Sequence, residues 1–297
     1  MLKRTVYITN PFHISCRLKQ LILTPKEDGK ETTMPVEDLG FVILDHPNTT
    51  ITLAALQELQ ANNTAVIVCD AKHLPAGLLL PLEGHYLHSE RLATQIQASE
   101  PLKKQLWQYT IKYKIRNQAK LLESLGYPFE AVKRHADEVK SGDTSGEEAK
   151  ASRHYWKNLF PNMDFRRDPD GAWPNAALNY GYAILRAAVA RALVGNGLLP
   201  ALGIFHHNRY NAYPLADDMM EPYRPFIDSC IVEIINDMRD TTELNREIKA
   251  RLIHTLSSDV KMLGERSPML VAIERTATSL SKSYEENIRQ LLYPEMN

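Results

Sequence analysis

Residues 174–195 read Pro174-Asn-Ala-Ala-Leu-Asn-Tyr-Gly-Tyr-Ala-Ile-Leu-Arg-Ala-Ala-Val-Ala-Arg-Ala-Leu-Val-Gly195, and this stretch decides the fold of the C-terminal part. Alanine is the strongest helix former, so the stretch predicts a long helix. Its side chains are small on most faces, which lets neighbouring helices approach closely. The sequence Gly195-Asn-Gly197 accepts the left-handed conformation that ends helices. We therefore expect a helix over 174–195 in the middle of a bundle.

The hydrophobic pattern differs on the two sides of residue 84. Downstream, apolar residues recur at helical spacing, which predicts helices at 102–125, 146–159, 215–237, 242–260 and 268–292. Upstream, short runs rich in β-branched residues predict strands, as in Thr5-Val-Tyr-Ile-Thr9, Gly40-Phe-Val-Ile-Leu44 and Ala65-Val-Ile-Val-Cys69. Leu53, Leu56 and Leu59 predict one helix among these strands.

These patterns predict an α+β protein in which a small β-rich N-terminal domain precedes a larger all-α domain. The expected boundaries are 1–84 for the β-rich domain, 85–100 for a polar linker and 101–297 for the α-helical domain.

Composition indicates a soluble globular protein, because 44% of the 297 residues are hydrophobic and 24% are charged. The basic start, Lys3-Arg4, is not followed by an apolar run, which argues against a secretory signal. The most apolar stretch, 182–205, contains Arg186 and Arg191, so no membrane span is expected. Three widely separated cysteines are typical of reduced thiols, and we expect a cytoplasmic protein.

Charge is unevenly distributed, although the net charge is only −1. Residues 101–140 contain nine basic residues against four acidic ones, and residues 201–240 contain three against seven. A basic segment and an acidic one would suit a surface that tracks phosphates beside a cation site. A solvated helix face explains the basic run equally well.

The acidic segment contains the densest group of residue types that bind metals. Asp218 and Glu221 are three apart, so both carboxylates can share one helix face, and Pro222 should bend the helix there. A histidine, His206 or His207, lies close by in sequence. Two carboxylates and an imidazole suit Mn²⁺ or Mg²⁺. Alternatively, the carboxylates complement the helix dipole and the histidines pack in a loop.

Glu148 is a second candidate ligand, in Ser145-Gly-Glu-Glu148. The same spacing is that of a capping box, with Ser145 as N-cap and Glu148 as the third helical residue. Small residues beyond it, Ala151 and Ser152, would leave room for a ligand against the carboxylate. The sequence contains no Gly-x-Ser-x-Gly elbow, phosphate-binding glycine loop, dinucleotide fingerprint or paired-cysteine zinc motif.

Four blocks of the sequence resemble the signature of a known family, the CRISPR-associated spacer-acquisition integrases, the first of the Cas proteins. The blocks are Glu148-x-x-Ala151-x-x-x-Tyr155-Trp156, Leu178-Asn-Tyr-Gly-Tyr-Ala-Ile-Leu-Arg186, Gly203-x-x-His206 and Leu215-Ala-Asp-Asp218-x-x-Glu221-Pro-Tyr-Arg224-Pro. The sequences Phe205-His-His and Tyr210-Asn-Ala-Tyr are most similar to those of family members from type II CRISPR systems.

The resemblance implies a metal-dependent DNA endonuclease that inserts captured DNA fragments into a CRISPR array by transesterification. It implies Mg²⁺ or Mn²⁺ as cofactor, with Glu148, His206 and Glu221 as catalytic metal ligands and Asp218 as a supporting carboxylate. If the motifs are aligned one residue differently, Glu147 is the alternative to Glu148 and His207 is the alternative to His206.

Contacts with DNA phosphates are expected from basic residues near this site. Lys112, Lys114 and Arg116 are the first candidates, and Arg166 and Arg167 are weaker ones. Arg224 could contact phosphate or form a structural salt bridge.

The resemblance also implies partners: double-stranded DNA as prespacer and as repeat, and a homodimer formed through the N-terminal domain. Two dimers would flank a small ferredoxin-like adaptation protein in a heterohexamer, and the type II effector nuclease is a further candidate partner. A non-catalytic DNA-binding scaffold with the same fold is the alternative function. An all-α metal hydrolase acting on small molecules is hard to reconcile with the basic helix and with a family resemblance that covers essentially the whole chain.

Overall fold

The computed structural model describes residues 3–161, 163–206, 208–238 and 241–296. The chain folds as two compact units, Met1–Tyr86 and Leu87–Asn297. His207, the alternative to His206, lies outside the described residues. Within the described part of the chain, no helix combines the length and the apolar character needed to cross a lipid bilayer.

The first unit is built from two four-stranded sheets and one helix. Its elements are β1 (Arg4–Ile8), β2 (Phe12–Arg17), β3 (Gln20–Pro25), β4 (Thr32–Pro35), β5 (Leu39–Leu44), β6 (Thr50–Ile51), α1 (Leu53–Ala61), β7 (Ala65–Cys69) and β8 (Pro75–Leu79). The sheet orders are β1-β5-β7-β8 and β4-β3-β2-β6. In the first sheet β1, β5 and β7 are parallel and β8 is antiparallel to β7.

Both sheets and α1 contribute to one apolar core. Val42 comes from the first sheet, Ile14 and Leu21 from the second, and Leu59 from α1; all four are fully buried. Thr52 caps α1, because its side chain accepts a hydrogen bond from the Ala55 backbone N at 3.2 Å. The β-branched runs predicted as strands therefore supply this core.

The second unit is mostly helical. Its elements are α2 (His88–Gln97), α3 (Glu100–Ser124), α4 (Glu130–Glu138), α5 (Glu147–Leu159), α6 (Asn175–Gly195), α7 (Pro214–Met220), α8 (Arg224–Asp237), α9 (Arg246–His254), β9 (Asp259–Met262), β10 (Glu265–Pro268) and α10 (Met269–Glu286). The predicted α+β class, with β-rich residues first and helices after, is confirmed.

Two details of this unit differ from the expected pattern. Residues 85–100, expected to form a polar linker, contain α2. The C-terminal region is not all-α, because the antiparallel pair β9–β10 separates α9 from α10. Leu263 and Gly264, between these strands, have positive φ values of 53° and 83°. This is the backbone geometry of a two-residue hairpin turn, which the helical periodicity on either side concealed.

α6 is the central helix of this unit and packs against α7, α8, α9 and α10, as its small side chains predict. The closest approach is at Gly181, where an added Cβ would lie 2.5 Å from Ile227 Cγ2 of α8 and 3.4 Å from Leu252 Cδ2 of α9. Real Cβ atoms do not approach carbon atoms at 2.5 Å, so the helix spacing depends on this glycine.

We expect Gly181→Ala to lower the free energy of unfolding by up to about 2 kcal/mol. The new methyl group overpacks the α6–α8 contact at a cost of about 1–3 kcal/mol, and the better helix propensity of alanine offsets about 1 kcal/mol of it. Urea unfolding measures the change. Gly77→Ala is the control, since its added Cβ would meet only Val68 Cβ at 3.7 Å. Equal or greater stability of Gly181→Ala would contradict the close packing.

A C-terminal segment follows α10, whose C-cap residue Asn287 is in the left-handed conformation (φ 54°). Asn117 of α3 binds this segment. Its Nδ2 donates to the carbonyl oxygens of Pro222 at 2.8 Å and Pro294 at 3.0 Å, and its Oδ1 accepts from the Met296 backbone N at 3.1 Å. One buried amide thus joins the C-terminal segment to the turn between α7 and α8.

Candidate metal centre

Two carboxylates from different elements of the second unit meet at one lysine. Glu148 lies in the first turn of α5, and Glu221 begins the short 3₁₀ turn between α7 and α8. Lys114 Nζ, from α3, is 2.5 Å from Glu148 Oε1 and 2.6 Å from Glu221 Oε2. The Lys114 and Glu221 side chains are 9% and 6% exposed, whereas Glu148 is 33% exposed. One cation and two anions therefore share a site that opens to water on the Glu148 side.

A second cation completes the charge balance of this site. Arg224 Nη2 lies 3.0 Å from Glu221 Oε1. Burial by itself would raise the pKa of Glu221, but the charges of Arg224 and Lys114 hold that pKa below its ordinary value. Burial would lower the pKa of Lys114, yet Glu221 and Glu148 raise it above its ordinary value. Glu221 and Lys114 are therefore ionised at neutral pH.

The helix that was expected to bend at Pro222 is interrupted there. α7 ends at Met220, a 3₁₀ turn spans Glu221–Tyr223, and α8 begins at Arg224. Proline has no backbone N–H to donate to the preceding turn, so the α-helix does not continue through it. Asp218 and Glu221, expected on one face, have different neighbours: Asp218 contacts the loop at His206, whereas Glu221 contacts Lys114.

The capping box expected at Ser145 is absent. Gly146, in the left-handed conformation, precedes α5, and the Asp143 carboxylate accepts from the backbone N of Glu147 at 2.8 Å and of Glu148 at 3.1 Å. Because Asp143 satisfies these first N–H groups, the Glu148 carboxylate is not needed for capping and contacts Lys114 instead.

Glu147 has a different environment from its neighbour. Its carboxylate contacts Lys150 Nζ at 2.7 Å and His135 Nδ1 at 2.7 Å. These hydrogen bonds lower the pKa of Glu147 to about 2. Of the two adjacent glutamates, Glu148 is the one beside Lys114 and Glu221.

A single buried carboxylate orients His206. Asp218 Oδ1 lies 2.5 Å from His206 Nδ1, and Asp218 Oδ2 accepts from the backbone N of Ile204 at 2.7 Å and of Phe205 at 3.0 Å. The hydrogen bond to Asp218 raises the pKa of His206. Since Nδ1 is engaged, Nε2 is the ring nitrogen left for another ligand. The His206 side chain is 41% exposed, so it lies on a partly open loop.

Close packing supports this loop from two sides. A Cβ on Gly203 would lie 2.6 Å from the His206 carbonyl oxygen and 3.0 Å from Asp218 Oδ2, so only glycine fits there. On the other side, the Trp107 ring of α3 stacks on Phe205, with centroids 4.2 Å apart, and meets His206 edge-on at 5.5 Å. Sequence reasoning missed Trp107, although it lies seven residues, two helical turns, before Lys114 on the same face of α3.

The ligand atoms of Glu148, His206 and Glu221, which the family resemblance implied, are not all within 4.8 Å of one another in this structure. Among the described residues, one group of three has ligand atoms within 4.8 Å of one another, namely His135, Glu138 and Glu147. Its central carboxylate, Glu147, is already paired with Lys150 and His135. Lys114 lies between Glu148 and Glu221, and the nearby His206 helps to lower the pKa of Glu221.

The expected phosphate contacts fall into two groups. Arg116 and Arg166 are exposed and Lys112 is partly exposed. Lys112 and Arg116 are four residues apart on the outward face of α3, and Arg116 Nη2 lies 3.5 Å from Asp137 Oδ1. These three side chains are accessible to a large polyanion.

The other three cations contact groups of the protein itself. Lys114 is buried between carboxylates. Arg167 donates to Asn175 Oδ1 at 3.0 Å and to Asn179 Oδ1 at 2.6 Å. Arg224 pairs with Glu221, and its Cζ lies 4.6 Å from the centroid of the Tyr182 ring. In this structure Lys114 is thus buried beside carboxylates, its contact with DNA phosphate stays a prediction, and Arg224 forms a salt bridge with Glu221.

A buried carboxyl behind this cluster links three helices. Asp228 of α8 accepts hydrogen bonds from Tyr155 Oη of α5 at 2.7 Å and from Tyr182 Oη of α6 at 2.5 Å. Burial raises the pKa of Asp228 to about 6, although both tyrosines oppose the rise. Sequence reasoning noted both tyrosines in the family blocks but did not connect them through Asp228.

We expect the stability of the protein to depend on pH through Asp228. A carboxyl whose pKa is raised by folding binds its proton more tightly in the folded chain, so stability falls as pH rises from about 4 through 6. The rise of about two pKa units corresponds to about 3 kcal/mol. Between pH 4 and pH 7, the free energy of unfolding of Asp228→Asn should therefore rise relative to that of the wild type by up to about 3 kcal/mol.

Urea unfolding at a series of pH values measures this difference. The exposed site Asp164→Asn controls for the loss of one carboxylate. A difference between Asp228→Asn and wild type that stays constant over the series would contradict the raised pKa.

Comparison with known proteins identifies the fold and the family. The chain matches the family of CRISPR associated protein Cas1 over residues 6–257. It is 37% identical over 296 residues to the CRISPR-associated endonuclease Cas1 of Neisseria meningitidis serogroup C (strain 8013), covering 99% of this chain and 96% of that protein.

Two solved structures have the same fold at low sequence identity. A casposase bound to integration product aligns with a TM-score of 0.81 and 19% identity, over 98% of this chain and 92% of that chain. A chain of a Cas6-RT-Cas1–Cas2 complex aligns with a TM-score of 0.77 and 20% identity, over 99% of this chain and 36% of that chain. The fold is thus the one that Cas1 proteins and casposases share. The chain belongs to the CRISPR-associated Cas1 family, as the sequence blocks indicated.

Proposed function

We propose that this protein is the integrase of CRISPR spacer acquisition, a metal-dependent DNA endonuclease that joins captured DNA fragments to a CRISPR array. The observation that carries the proposal is the meeting of Glu148 and Glu221 at one buried cation position. The endonuclease name of the Neisseria relative supports nuclease chemistry. The likeness to a casposase bound to its integration product supports strand transfer.

The residues present fit a divalent metal. Glu148, His206 and Glu221 would hold it, and two carboxylates with one imidazole suit Mg²⁺ or Mn²⁺, the nitrogen favouring Mn²⁺. Lys114 supports this fit, because the space between the carboxylates already accommodates a cation. When bound, the metal would polarise the phosphodiester and stabilise charge on its oxygens.

The side chains of the protein would orient the reactants around that site. In the proposed reaction a DNA 3′-hydroxyl attacks a phosphodiester at the edge of a repeat. A new P–O bond forms, the P–O bond to the repeat's 3′-oxygen breaks, and the proton lost by the attacking hydroxyl balances the one that the leaving 3′-oxygen takes up. Asp218 would hold His206 with Nε2 available, and Arg224 would hold Glu221 in place. Lys112, Arg116 and Arg166 would contact DNA phosphates without reading sequence.

The proposal includes partners. Double-stranded DNA would bind as prespacer and as repeat. Residues 1–84 would form the homodimer, with residues 101–297 carrying catalysis, and two dimers would flank a small ferredoxin-like protein in a heterohexamer. The likeness to a chain of a Cas1–Cas2 complex supports a protein partner, and the type II effector nuclease is a further candidate. The proposed location is the cytoplasm, where these DNA substrates lie.

A non-catalytic DNA-binding scaffold is not favoured by the geometry of the site. Buried charges cost free energy unless they are well paired, and hydrophobic residues of similar size would stabilise a scaffold at least as well. The cluster of Lys114, Glu148 and Glu221 is better explained by a function that needs those charges.

Integration of a labelled DNA duplex into a plasmid with a CRISPR repeat tests the proposal, with and without the small adaptation partner. We expect joined product from the wild type with Mn²⁺ or Mg²⁺, and none with a chelator or with Glu221→Ala. Glu265→Ala, in the exposed β9–β10 hairpin, is the control for loss of a glutamate. Equal joining by wild type and Glu221→Ala would remove the proposed site.

A further inference from the structure

Lys114 occupies an unusual position for a lysine. Its Nζ contacts one oxygen of Glu148 and one of Glu221, and the side chain that carries it is almost wholly buried. A lysine that served only to bind DNA would gain from exposure, as Lys112 and Arg116 on the same helix do. The contacts therefore assign Lys114 a task within the site.

The charges of the cluster are balanced as it stands. Glu148 and Glu221 carry two negative charges, and Lys114 and Arg224 carry two positive ones. A divalent cation added between the carboxylates, with Lys114 still in place, would leave two excess positive charges in a site with little water to screen them. Lys114 can leave without moving α3, because its charge is at the end of a flexible four-carbon chain.

We propose that Lys114 is the internal counter-ion of the metal site, and that a divalent cation binds between Glu148 and Glu221 by displacing the Lys114 ammonium. This inference rests on the proposed function, of which the metal site is a part. Without metal, Lys114 keeps the buried Glu221 carboxylate and the partly exposed Glu148 carboxylate from repelling each other. With metal, the charge that it supplied is replaced.

Displacement gives the ammonium a second position. It remains attached to α3, beside the site where the scissile phosphodiester would lie, and would pair with a DNA phosphate there. Metal binding would then release a cation for the DNA, so that metal and DNA each raise the affinity of the protein for the other. Lys114 would act as a positioning residue that couples the two ligands.

Titration with Mn²⁺ in the absence of DNA tests the displacement. Lys114→Met keeps the length of the side chain and removes its charge, so we expect it to bind Mn²⁺ at least about tenfold more tightly than the wild type. Lys120→Met is the matched control, because Lys120 is an exposed lysine on the same helix, paired with Glu123. It should bind Mn²⁺ as the wild type does.

The outcomes separate this inference from the proposed function. If the wild type binds Mn²⁺ and Lys114→Met binds it equally or more weakly, the counter-ion role is overturned while the metal site stands. If neither the wild type nor Lys114→Met binds Mn²⁺, the metal site itself is rejected, and the inference with it.

Lysine reactivity in the unaltered protein provides a second measurement, should Lys114→Met fail to fold without metal. Acetic anhydride labelling, read by mass spectrometry, should find Lys114 protected in metal-free protein and several times more reactive at saturating Mg²⁺. Lys120 should react equally in both conditions. Unchanged protection of Lys114 at saturating Mg²⁺ would overturn the displacement.

Discussion

Glu148→Gln is expected to reduce DNA joining by at least about 100-fold, because loss of a metal ligand should cost more than loss of an outer partner, which costs about 10–100-fold. Glutamine keeps the size of the side chain and can still accept a hydrogen bond from Lys114. It lacks the charge that a divalent cation requires. The joining assay with a labelled duplex and a repeat-bearing plasmid measures the effect.

The adjacent residue provides a matched control. Glu147→Gln removes the same charge from the same helical turn, but Glu147 faces His135 and Lys150 instead of Lys114. We expect DNA joining by Glu147→Gln to stay within about threefold of the wild type, because sites without shared partners affect each other only weakly. A larger loss with Glu147→Gln than with Glu148→Gln would reverse the assignment of the two glutamates.

Asn117→Ala is expected to lower the free energy of unfolding by about 3 kcal/mol or more. The substitution leaves the Pro222 and Pro294 carbonyl oxygens and the Met296 N–H without their buried partner, and each such group costs about 1–3 kcal/mol. Urea unfolding measures the loss. The 3₁₀ turn that carries Glu221 loses one of its supports, so DNA joining should fall as well.

A second asparagine serves as control for this substitution. Asn158 lies on the exposed side of α5 and donates only to the His154 carbonyl oxygen of its own helix, at 2.7 Å. Asn158→Ala should change stability by no more than about 0.5 kcal/mol, as exposed substitutions usually do. Similar effects of the two substitutions would show that the amide of Asn117 is not a joint between the C-terminal segment and the turn.

Hydrophobic periodicity was sufficient for the division of the chain into a β-rich part and a helical part. It also located α6, whose small residues indicate close helix contacts. It failed where short elements lie between longer ones. α2 has a polar composition that resembles a linker, and the β9–β10 hairpin is only four residues a strand. Such elements are stabilised by tertiary contacts, which no local window contains.

The site was predictable in part, and for two different reasons. Family blocks named Glu148 and Glu221, which are 73 positions apart in the sequence, and the structure places both at Lys114. Spacing alone could not bring them together, since the contact depends on how α3, α5 and the turn before α8 pack. The cap from Asp143 was equally invisible, because Gly146 shifts the start of α5 by one residue.

The burial of Lys114 could have been predicted from the helical spacing of α3. Counting cations over 101–140 treats all of them as one surface, whereas a helix separates them into faces. Trp107, Ile111 and Lys114 follow the spacing of a buried face, and all three are buried. Lys112 and Arg116 follow the spacing of the opposite face. The same periodicity that predicted the helix would have placed Lys114 inside.

Asp218 gives the loop at His206 a property that loops rarely have. The backbone N–H groups of Ile204 and Phe205 lie outside helices and strands, yet they donate to a fully buried carboxylate. Their amide hydrogens should exchange with solvent deuterium as slowly as those of a helix, as long as Asp218 stays in place. Exchange at these two positions would therefore report, in solution and without any substrate, whether Asp218 is in the position from which it orients the His206 imidazole.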